Sequence, residues 1–255
     1  MKHFSKTIAL IFLFVATSIF AGVPVKNGLV LFFPTVDMRV RDASGSKNNG
    51  QTSTITVSNS PSLVSMAQTH QLTYAAWINP ASIPSEFPVL LSKGGNEPPD
   101  DFGGYEFILN AHGDHDLMFE SGYFAANTGG GLINTNLGQW IHVAFTIDLD
   151  AQTAQFYVDG QPVQTTIVSG TFADINFDLR NNLYVGVPDP GADSYRANFD
   201  GSMHEVMLFN RKLSADEIQT IFSETARQQQ IPKSRSEVQR ARNTETGSEK
   251  LRKEI

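Results

Sequence analysis

A stretch near the middle of the chain, residues 139–163, has the sequence QWIHVAFTIDLDAQTAQFYVDGQPV. Apolar residues occupy every second position from 141 to 147, and this period of two predicts a strand, because a helix repeats every 3.6 residues. A second strand follows and stops at Asp159-Gly160, a pair that favours the positive φ angles of a tight hairpin turn. Residues 161–163 then begin a return strand. The stretch therefore predicts a β-meander with one strongly apolar face.

This apolar face needs a second layer, and the rest of the chain supplies short strands that can form it. They are separated by Gly, Pro, Asn and Asp, and they lie at residues 28–33, 54–57, 72–79, 89–92, 105–109, 116–120, 182–187 and 202–209. Strands at this spacing, with no long helical period between them, predict an all-β fold. We expect a two-sheet antiparallel jelly-roll sandwich.

One short helix is predicted after the last strand. Ser214 and Glu217 have the spacing of a capping box, in which each side chain bonds the other residue's backbone amide. Leu213 and Ile218 fit the hydrophobic staple that accompanies such a cap. We expect this C-terminal helix to pack against the sandwich and close the domain.

The composition limits the classes of function. The chain has 255 residues and no cysteine, which excludes disulfides, thiolate metal sites and a cysteine nucleophile. Residues 22–223 hold nine Lys and Arg against twenty-one Asp and Glu, a formal charge of −12, whereas residues 224–255 have eight against five, or +3. An acidic body argues against nucleic acid and anionic lipid as partners. Neutral glycans or a bound cation fit it better.

The N-terminus has the order of parts of a secretory signal peptide. Lys2 and Lys6 are followed by an almost wholly apolar run at 8–20 and then by the small residues Ala21 and Gly22. The apolar run is shorter than the roughly 20 residues that span a bilayer, so we expect cleavage and no membrane span afterwards. The expected location is outside the cell or in a periplasm.

Three regions are therefore predicted. Residues 1–21 form the signal peptide, 22–226 the jelly-roll domain and 227–255 a charged, disordered tail. The tail is assigned because it mixes charges without aromatic residues or an apolar period.

Several segments resemble one family. They are LTYAAWINP, LLSKGG, GYEFIL, WIHVAFTID with FYVDGQPV, LYVGV and FDGSMHEVMLFNRKLSADEIQTIF. In order and spacing, over residues 28–222, they are similar to the laminin-G-like, concanavalin A-like lectin/glucanase jelly-roll domains. The resemblance implies a two-sheet antiparallel sandwich, a role in binding sugars or proteins, and a structural calcium ion.

The calcium candidates are Asp42, Asn49 and Glu205. Asp42 and Asn49 lie in a Gly- and Asn-rich loop whose oxygen donors suit a hard cation, and the fold would bring Glu205 to them. Two departures from the family weaken the resemblance. Only residues 51–53 separate the loop from the next strand, so an edge strand is expected to be missing or rebuilt, and His204 stands where the family commonly has Asp, which makes the calcium site poorer. The alternative is that Asp42 and Asn49 cap their own turns.

A second polar cluster comprises His112, Asp114, His115 and Asp116. It lies between two predicted strands, so a solvated hairpin turn is favoured over a transition-metal site.

Catalysis is not expected. The chain lacks the E-x-D-x-x-E strand pattern of retaining glucanases, which places two carboxylates on either side of the scissile bond. Glu106 and Glu120 lie in predicted strands, but each stands alone among apolar or hydroxyl neighbours. Single acidic residues of this kind are expected to face solvent.

The aromatic residues fall into two sets. Trp77, Trp140, Phe145 and Phe156 follow the strand alternation and are predicted to be core. The loop set is the candidate ligand-binding set, and it comprises Tyr123, Phe124 and Tyr195. The alternative is that these rings only cover the ends of the sandwich. The sequence thus predicts an exported, non-catalytic module that recognises carbohydrate; the alternatives are adhesion to an extracellular protein and a glycan-active enzyme.

Overall fold

The computed structural model describes residues 23–35, 50–52, 55–82, 87–94, 104–109, 116–179, 181–192 and 195–229. The strands are β1 (Leu29–Thr35), β2 (Gly50–Thr52), β3 (Ile55–Val57), β4 (Gln71–Pro80), β5 (Phe87–Lys93), β6 (Tyr105–Leu109), β7 (Leu117–Ser121), β8 (Phe124–Asn127), β9 (Ile141–Asp148), β10 (Thr153–Val158), β11 (Gln161–Pro162), β12 (Thr166–Ser169), β13 (Leu183–Val185), β14 (Arg196–Asn198) and β15 (Gly201–Phe209). The helices are α1 (Met66–Thr69) and α2 (Ala215–Gln229), with single 3₁₀ turns at Asn134–Asn136 and Phe172–Asp174.

These strands form two sheets, which confirms the predicted all-β sandwich. The six-stranded sheet has the order β1-β15-β4-β9-β10-β11. The nine-stranded sheet has the order β12-β8-β7-β6-β5-β13-β3-β2, with β14 beside β5. The pairings are antiparallel except that of β14 with β5, which is parallel. β14 pairs with the first residues of β5 and β13 with the last ones, so two short strands share one long edge.

The predicted meander is confirmed as β9, β10 and β11. Asp159 and Gly160 form its hairpin turn with φ angles of 47° and 77°, as their sequence requires. β9 pairs with β4 on one side and β10 on the other, so it lies inside the six-stranded sheet. Its inward side chains join the core between the sheets, where the rings of Phe145 and Phe119 stack with centroids 4.7 Å apart.

The opposite face of the six-stranded sheet is also buried, beneath α2. Val23 and Val25 pack there with Leu213, Ile218 and other apolar residues to form a second core. The helix begins with the predicted capping box: the Glu217 amide donates to Ser214 Oγ at 3.2 Å and the Ser214 amide to Glu217 Oε2 at 3.0 Å. Both predicted staple residues, Leu213 and Ile218, are buried in this second core.

Of the four aromatic residues predicted to be core, three are buried. Phe145 and Phe156 lie between the sheets, whereas Trp77 lies under α2 and stacks on Phe222. The prediction for Trp140 is wrong. It precedes β9, is half-buried and contacts the ring of His204 at a centroid distance of 4.5 Å.

Four strands are not predicted from the sequence: β2, β8, β12 and β14. Each has three or four residues, too few to display an alternating pattern. Helix α2 continues to Gln229, past the predicted domain end at residue 226. The predicted signal peptide lies outside the described residues, and so does the predicted tail from residue 230 onward. Within the described part of the chain, no helix has the length and apolar character to cross a bilayer.

Candidate functional site

The strand register of the nine-stranded sheet aligns five residues in one row across five neighbouring strands. They are Tyr184, Ser92, Glu106, Glu120 and Ala125, from β13, β5, β6, β7 and β8. The residues that flank them along these strands, such as Phe107 and Phe119, belong to the core between the sheets. Because successive side chains of a strand point to opposite faces, the row lies on the face away from that core. We call it the outer row.

Arg196 of β14 joins two carboxylates of the outer row. Its Nε donates to Glu106 Oε2 at 2.6 Å and its Nη2 to Glu120 Oε2 at 2.5 Å. Ser92 Oγ donates to the other oxygen of Glu106, Oε1, at 2.9 Å. The guanidinium carbon lies 5.3 Å from the centre of the Phe87 ring. We call Arg196, Glu106 and Glu120 the Arg196 cluster.

The cluster is buried at one end and open at the other. The side chains of Arg196 and Glu106 are 9% and 10% exposed, and that of Glu120 is 28% exposed. Burial raises the pKa of the Glu106 carboxyl above its ordinary value, while the guanidinium of Arg196 and the hydroxyl of Ser92 act against that rise. Charged groups buried to this degree destabilise the fold unless their hydrogen bonds are kept. Each of the three side chains therefore fixes the position of the other two.

The surface beyond Glu120 is more open. A second row, parallel to the outer row, runs from the buried Ile108 through the half-buried Met118 and Asn127 to the exposed Thr166. With strands about 4.8 Å apart, the three strands from β7 to β12 span roughly 10 Å. We call the surface formed by Met118, Glu120, Asn127 and Thr166 the open face. It combines one carboxylate, one amide and one hydroxyl on a rigid sheet.

Two of the predicted ligand-binding residues flank this cluster along the chain. Tyr195 precedes Arg196 and Tyr123 follows Glu120 by three residues, and their exposed fractions are 66% and 67%. The backbone of each is held: Tyr195 O accepts from the Phe87 amide at 2.8 Å, and Tyr123 O from Ser169 Oγ at 2.9 Å. Both side chains are therefore exposed at the surface on fixed backbones.

The prediction for Phe124 is wrong. The turn after β7 needs only Gly122 and Tyr123, so Phe124 is already the first residue of β8 and faces inward. It is fully buried and contacts the rings of Phe119 and Phe172, with centroids 6.1 Å and 5.1 Å away. Phe124 supports the turn that presents Tyr123 and does not face a ligand.

The prediction that Glu106 and Glu120 each stand alone is wrong, and so is the expectation that Glu106 faces solvent, whereas Glu120 is partly exposed. They lie directly opposite each other on β6 and β7 and share Arg196. Their positions in two strands joined as a hairpin could have shown that they share a face. Nothing in the sequence pointed to Arg196, because β14 is three residues long and pairs with a distant part of the chain.

The calcium prediction is tested only at one residue. Asp42 and Asn49 lie outside the described residues. Glu205 lies at an irregularity of β15, is 9% exposed and has a φ of 52°, which is uncommon for a residue with a side chain. Among the described residues no group of three His, Asp or Glu side chains is placed to hold a metal. Calcium therefore stays a prediction.

The second polar cluster is described at one position. His112, Asp114 and His115 lie outside the described residues, whereas Asp116 is 3% exposed and so is not part of a solvated turn. Its Oδ2 accepts from the Gly129 amide at 2.9 Å, which ties the start of β7 to the loop after β8.

The two sheets define a mainly antiparallel β-sandwich. A family model described as the concanavalin A-like lectin/glucanases superfamily, of the laminin G type, matches residues 49–219. The chain belongs to this family. A search of curated protein sequences gives no significant match.

Solved structures similar to this chain come from toxins and a sialidase. The binding domain of Paraclostridial Mosquitocidal Protein 1 is 14% identical with a TM-score of 0.54, over 78% of this chain and 52% of that one. A botulinum neurotoxin type C structure, described by its dependence on two ganglioside molecules for cell entry, is 14% identical with a TM-score of 0.55, over 79% and 52%. Trypanosoma rangeli sialidase is 19% identical with a TM-score of 0.52, over 83% and 35%. This chain spans about half of the toxin chains, and the likeness shows the fold alone.

Proposed function

We propose that the protein is an exported, non-catalytic module that binds carbohydrate on the open face beside the Arg196 cluster. The observation that carries the proposal is the Arg196 cluster itself. Three charged side chains are fixed on the face of the sheet that the core between the sheets does not use. Within the cluster, Arg196 holds Glu120 at the edge of a surface that offers the hydrogen-bond acceptors and donors a sugar needs.

The exposed tyrosines support the same proposal. Sugars are bound by aromatic rings that cover their C–H faces together with planar polar groups that bond their hydroxyls. Tyr195 and Tyr123 supply two such rings next to the Arg196 cluster in the chain, and Asn127 supplies an amide. The ganglioside dependence of the botulinum neurotoxin and the sugar substrate implied by the name sialidase make carbohydrate a reasonable ligand for this fold.

The geometry of the cluster argues against glycoside hydrolysis. A glycosidase needs two carboxylates that flank the scissile bond as acid and nucleophile or base. Here Glu106 and Glu120 both bond one guanidinium, and Glu106 is covered. A scissile glycosidic bond could not lie between the two carboxyl groups without displacing Arg196.

A second candidate function, binding to an extracellular protein, is favoured by the edge strand β12. This strand ends the nine-stranded sheet, its four residues are all exposed, and Ile167 and Val168 are 46% and 48% exposed. An exposed edge with apolar side chains is the kind of surface to which a partner adds a strand.

The experiment is a binding screen of the purified protein against soluble glycans and insoluble polysaccharides, in calcium and again in EDTA. Replacing Tyr195 by Ala is expected to weaken binding up to about tenfold, since a stacked ring contributes roughly 0.5–1.5 kcal/mol. Leu137→Ala is the control, because Leu137 is another exposed large apolar residue, 42% exposed, outside the cluster. Loss of binding in EDTA would support calcium, and Asp42 would then be the first of the predicted ligands, Asp42, Asn49 and Glu205, to replace.

Folded protein that binds no glycan in either buffer would overturn the carbohydrate proposal. Saturable binding to a protein partner, abolished by Ile167→Asp but not by Tyr195→Ala, would establish the second candidate. Turnover of a polysaccharide that is lost in Glu106→Gln or Glu120→Gln would show that the protein is an enzyme.

A further inference from the structure

The charge on the outer face is negative at the position a ligand can reach. The one described cation on this face, Arg196, donates from Nε and Nη2 to the two carboxylates, and its side chain is only 9% exposed, so it is covered from solvent. Glu120 is the most exposed member of the cluster, and its second oxygen, Oε1, accepts no hydrogen bond from any described residue. The group that the cluster presents to solvent is therefore a carboxylate oxygen.

The other Lys and Arg residues whose side chains the structure describes make their contacts away from the open face. Lys93 is fully buried, and its Nζ donates to Asn59 Oδ1 at 2.8 Å and to Asn181 O at 2.7 Å. Arg211 bonds Glu217 at the start of α2, and Lys212 Nζ donates to Thr153 Oγ1, both beside the six-stranded sheet. Lys26 follows Val25 of the second core under α2.

Acidic sugars need the opposite arrangement. The carboxylate of a sialic or uronic acid, or a sulfate, is recognised by a guanidinium or ammonium group that has free donors. Beside Glu120 the carboxylate or sulfate of an acidic sugar would meet a like charge, on a chain whose body already carries a net negative charge. A neutral sugar meets no repulsion, and its hydroxyls can donate to Glu120 Oε1 and bond the amide of Asn127.

We infer that the ligand of the open face is an uncharged glycan and that Glu120 selects against glycans that carry carboxylate or sulfate groups. This inference rests on the proposed carbohydrate function. It goes beyond the likeness to the toxins and the sialidase, because it predicts that this chain does not take the acidic sugar that the name sialidase implies. The selectivity is set by one carboxylate whose position Arg196 fixes.

The test compares matched pairs of oligosaccharides, each neutral glycan beside its sialylated, uronic acid or sulfated form, with the purified protein. The neutral form of each pair is expected to bind at least tenfold more tightly at low salt, and the ratio is expected to shrink as salt screens the repulsion. Glu120→Gln keeps an oxygen for Arg196 but removes the charge, so it is expected to lower the ratio about fivefold or more. Asp216→Asn makes the same charge change at an exposed position on α2 and is expected to leave the ratio unchanged.

The outcomes separate this inference from the proposed function. If acidic glycans bind as tightly as their neutral forms or more tightly, the inference is wrong and the carbohydrate function stands. If Glu120→Gln and Asp216→Asn have the same ratio as the natural chain, the selectivity does not come from Glu120. If no glycan of either kind binds, the proposed function fails and the inference fails with it. Thermal unfolding of each variant checks that the protein is folded.

Discussion

Trp77 donates its indole hydrogen to Thr225 Oγ1 across 2.8 Å, and both residues are buried. Trp77 lies on β4 and Thr225 near the end of α2, so this bond ties the closing helix to the centre of the six-stranded sheet. The hydroxyl of Thr225 in turn donates to Ile221 O at 2.7 Å within the helix. Thr225 on the helix therefore satisfies a buried donor on the sheet.

Thr225→Ala tests this bond. The substitution leaves the indole N–H buried without an acceptor, and we expect the free energy of unfolding to fall by about 1–3 kcal/mol. Thr220→Ala is the matched control, because Thr220 makes the same bond to the fourth residue before it, Asp216 O, at 2.7 Å but is exposed. Urea denaturation measures both variants. Equal losses in the two would show that the bond to Trp77 contributes nothing.

Arg196→Met tests the burial of the Arg196 cluster. It leaves Glu106 covered without its counter-charge, and breaking a buried pair in this way costs about 3–5 kcal/mol. Because Glu106 is neutral when protonated, we expect the loss to be smaller at pH 4 than at pH 7. The double variant Arg196→Met with Glu106→Gln is expected to recover part of the loss. A double-mutant cycle by urea denaturation gives the coupling, and strictly additive effects would contradict the burial argument.

His142 predicts an acid sensitivity. It lies beside the rings of Trp77 and Phe222, with centroids 5.4 Å and 5.9 Å away, and burial lowers the pKa of its imidazole from 6.5 to about 3. Between these values the unfolded chain binds a proton that the folded chain does not, so stability falls as the pH falls from 6.5 to 3. The loss from this residue is at most about 5 kcal/mol.

His142→Phe keeps an aromatic ring under α2 and removes the titrating group. We expect the slope of its unfolding free energy against pH, between pH 3 and 6.5, to be smaller than that of the natural chain. The difference in slope corresponds to at most one proton bound by the unfolded chain. His70→Phe is the control, because His70 is largely exposed and pairs with the exposed Asp150. Parallel pH profiles for the natural chain and His142→Phe would contradict a neutral, buried His142.

The sequence predicts those parts of the fold whose signals are local. The alternation of β9, the Asp159-Gly160 turn and the Ser214 cap each lie within one short segment, and the structure confirms them. Arg196 shows what local patterns miss. It reaches Glu106 and Glu120 because β14 pairs with the first residues of β5. A strand of three residues is too short to show an alternating pattern. Phe124 was misplaced because the length of a turn decides which side chain enters the strand.

Gly170→Ala tests how the Tyr123 turn is supported. Gly170 follows β12 with a φ of 67°, and a Cβ there would lie 2.4 Å from Tyr123 O, a backbone atom that cannot move alone. Gly129 has nearly the same φ, 65°, but nothing lies within 4 Å of the position of its Cβ. Gly129→Ala is therefore a control that carries only the cost of the left-handed backbone, about 1–2 kcal/mol. We expect Gly170→Ala to lose at least about 1 kcal/mol more in thermal or urea unfolding, since the clash adds to that backbone cost.

The same pair of variants connects the turn to binding. If the ring of Tyr123 contacts the glycan, Gly170→Ala weakens binding by displacing the backbone that presents it, and Gly129→Ala does not. Binding is measured below the unfolding temperature of both variants, so that lost stability is not counted as lost affinity. Unchanged affinity in Gly170→Ala and also in Tyr123→Ala would remove Tyr123 from the site and leave Tyr195 as the ring beside the Arg196 cluster.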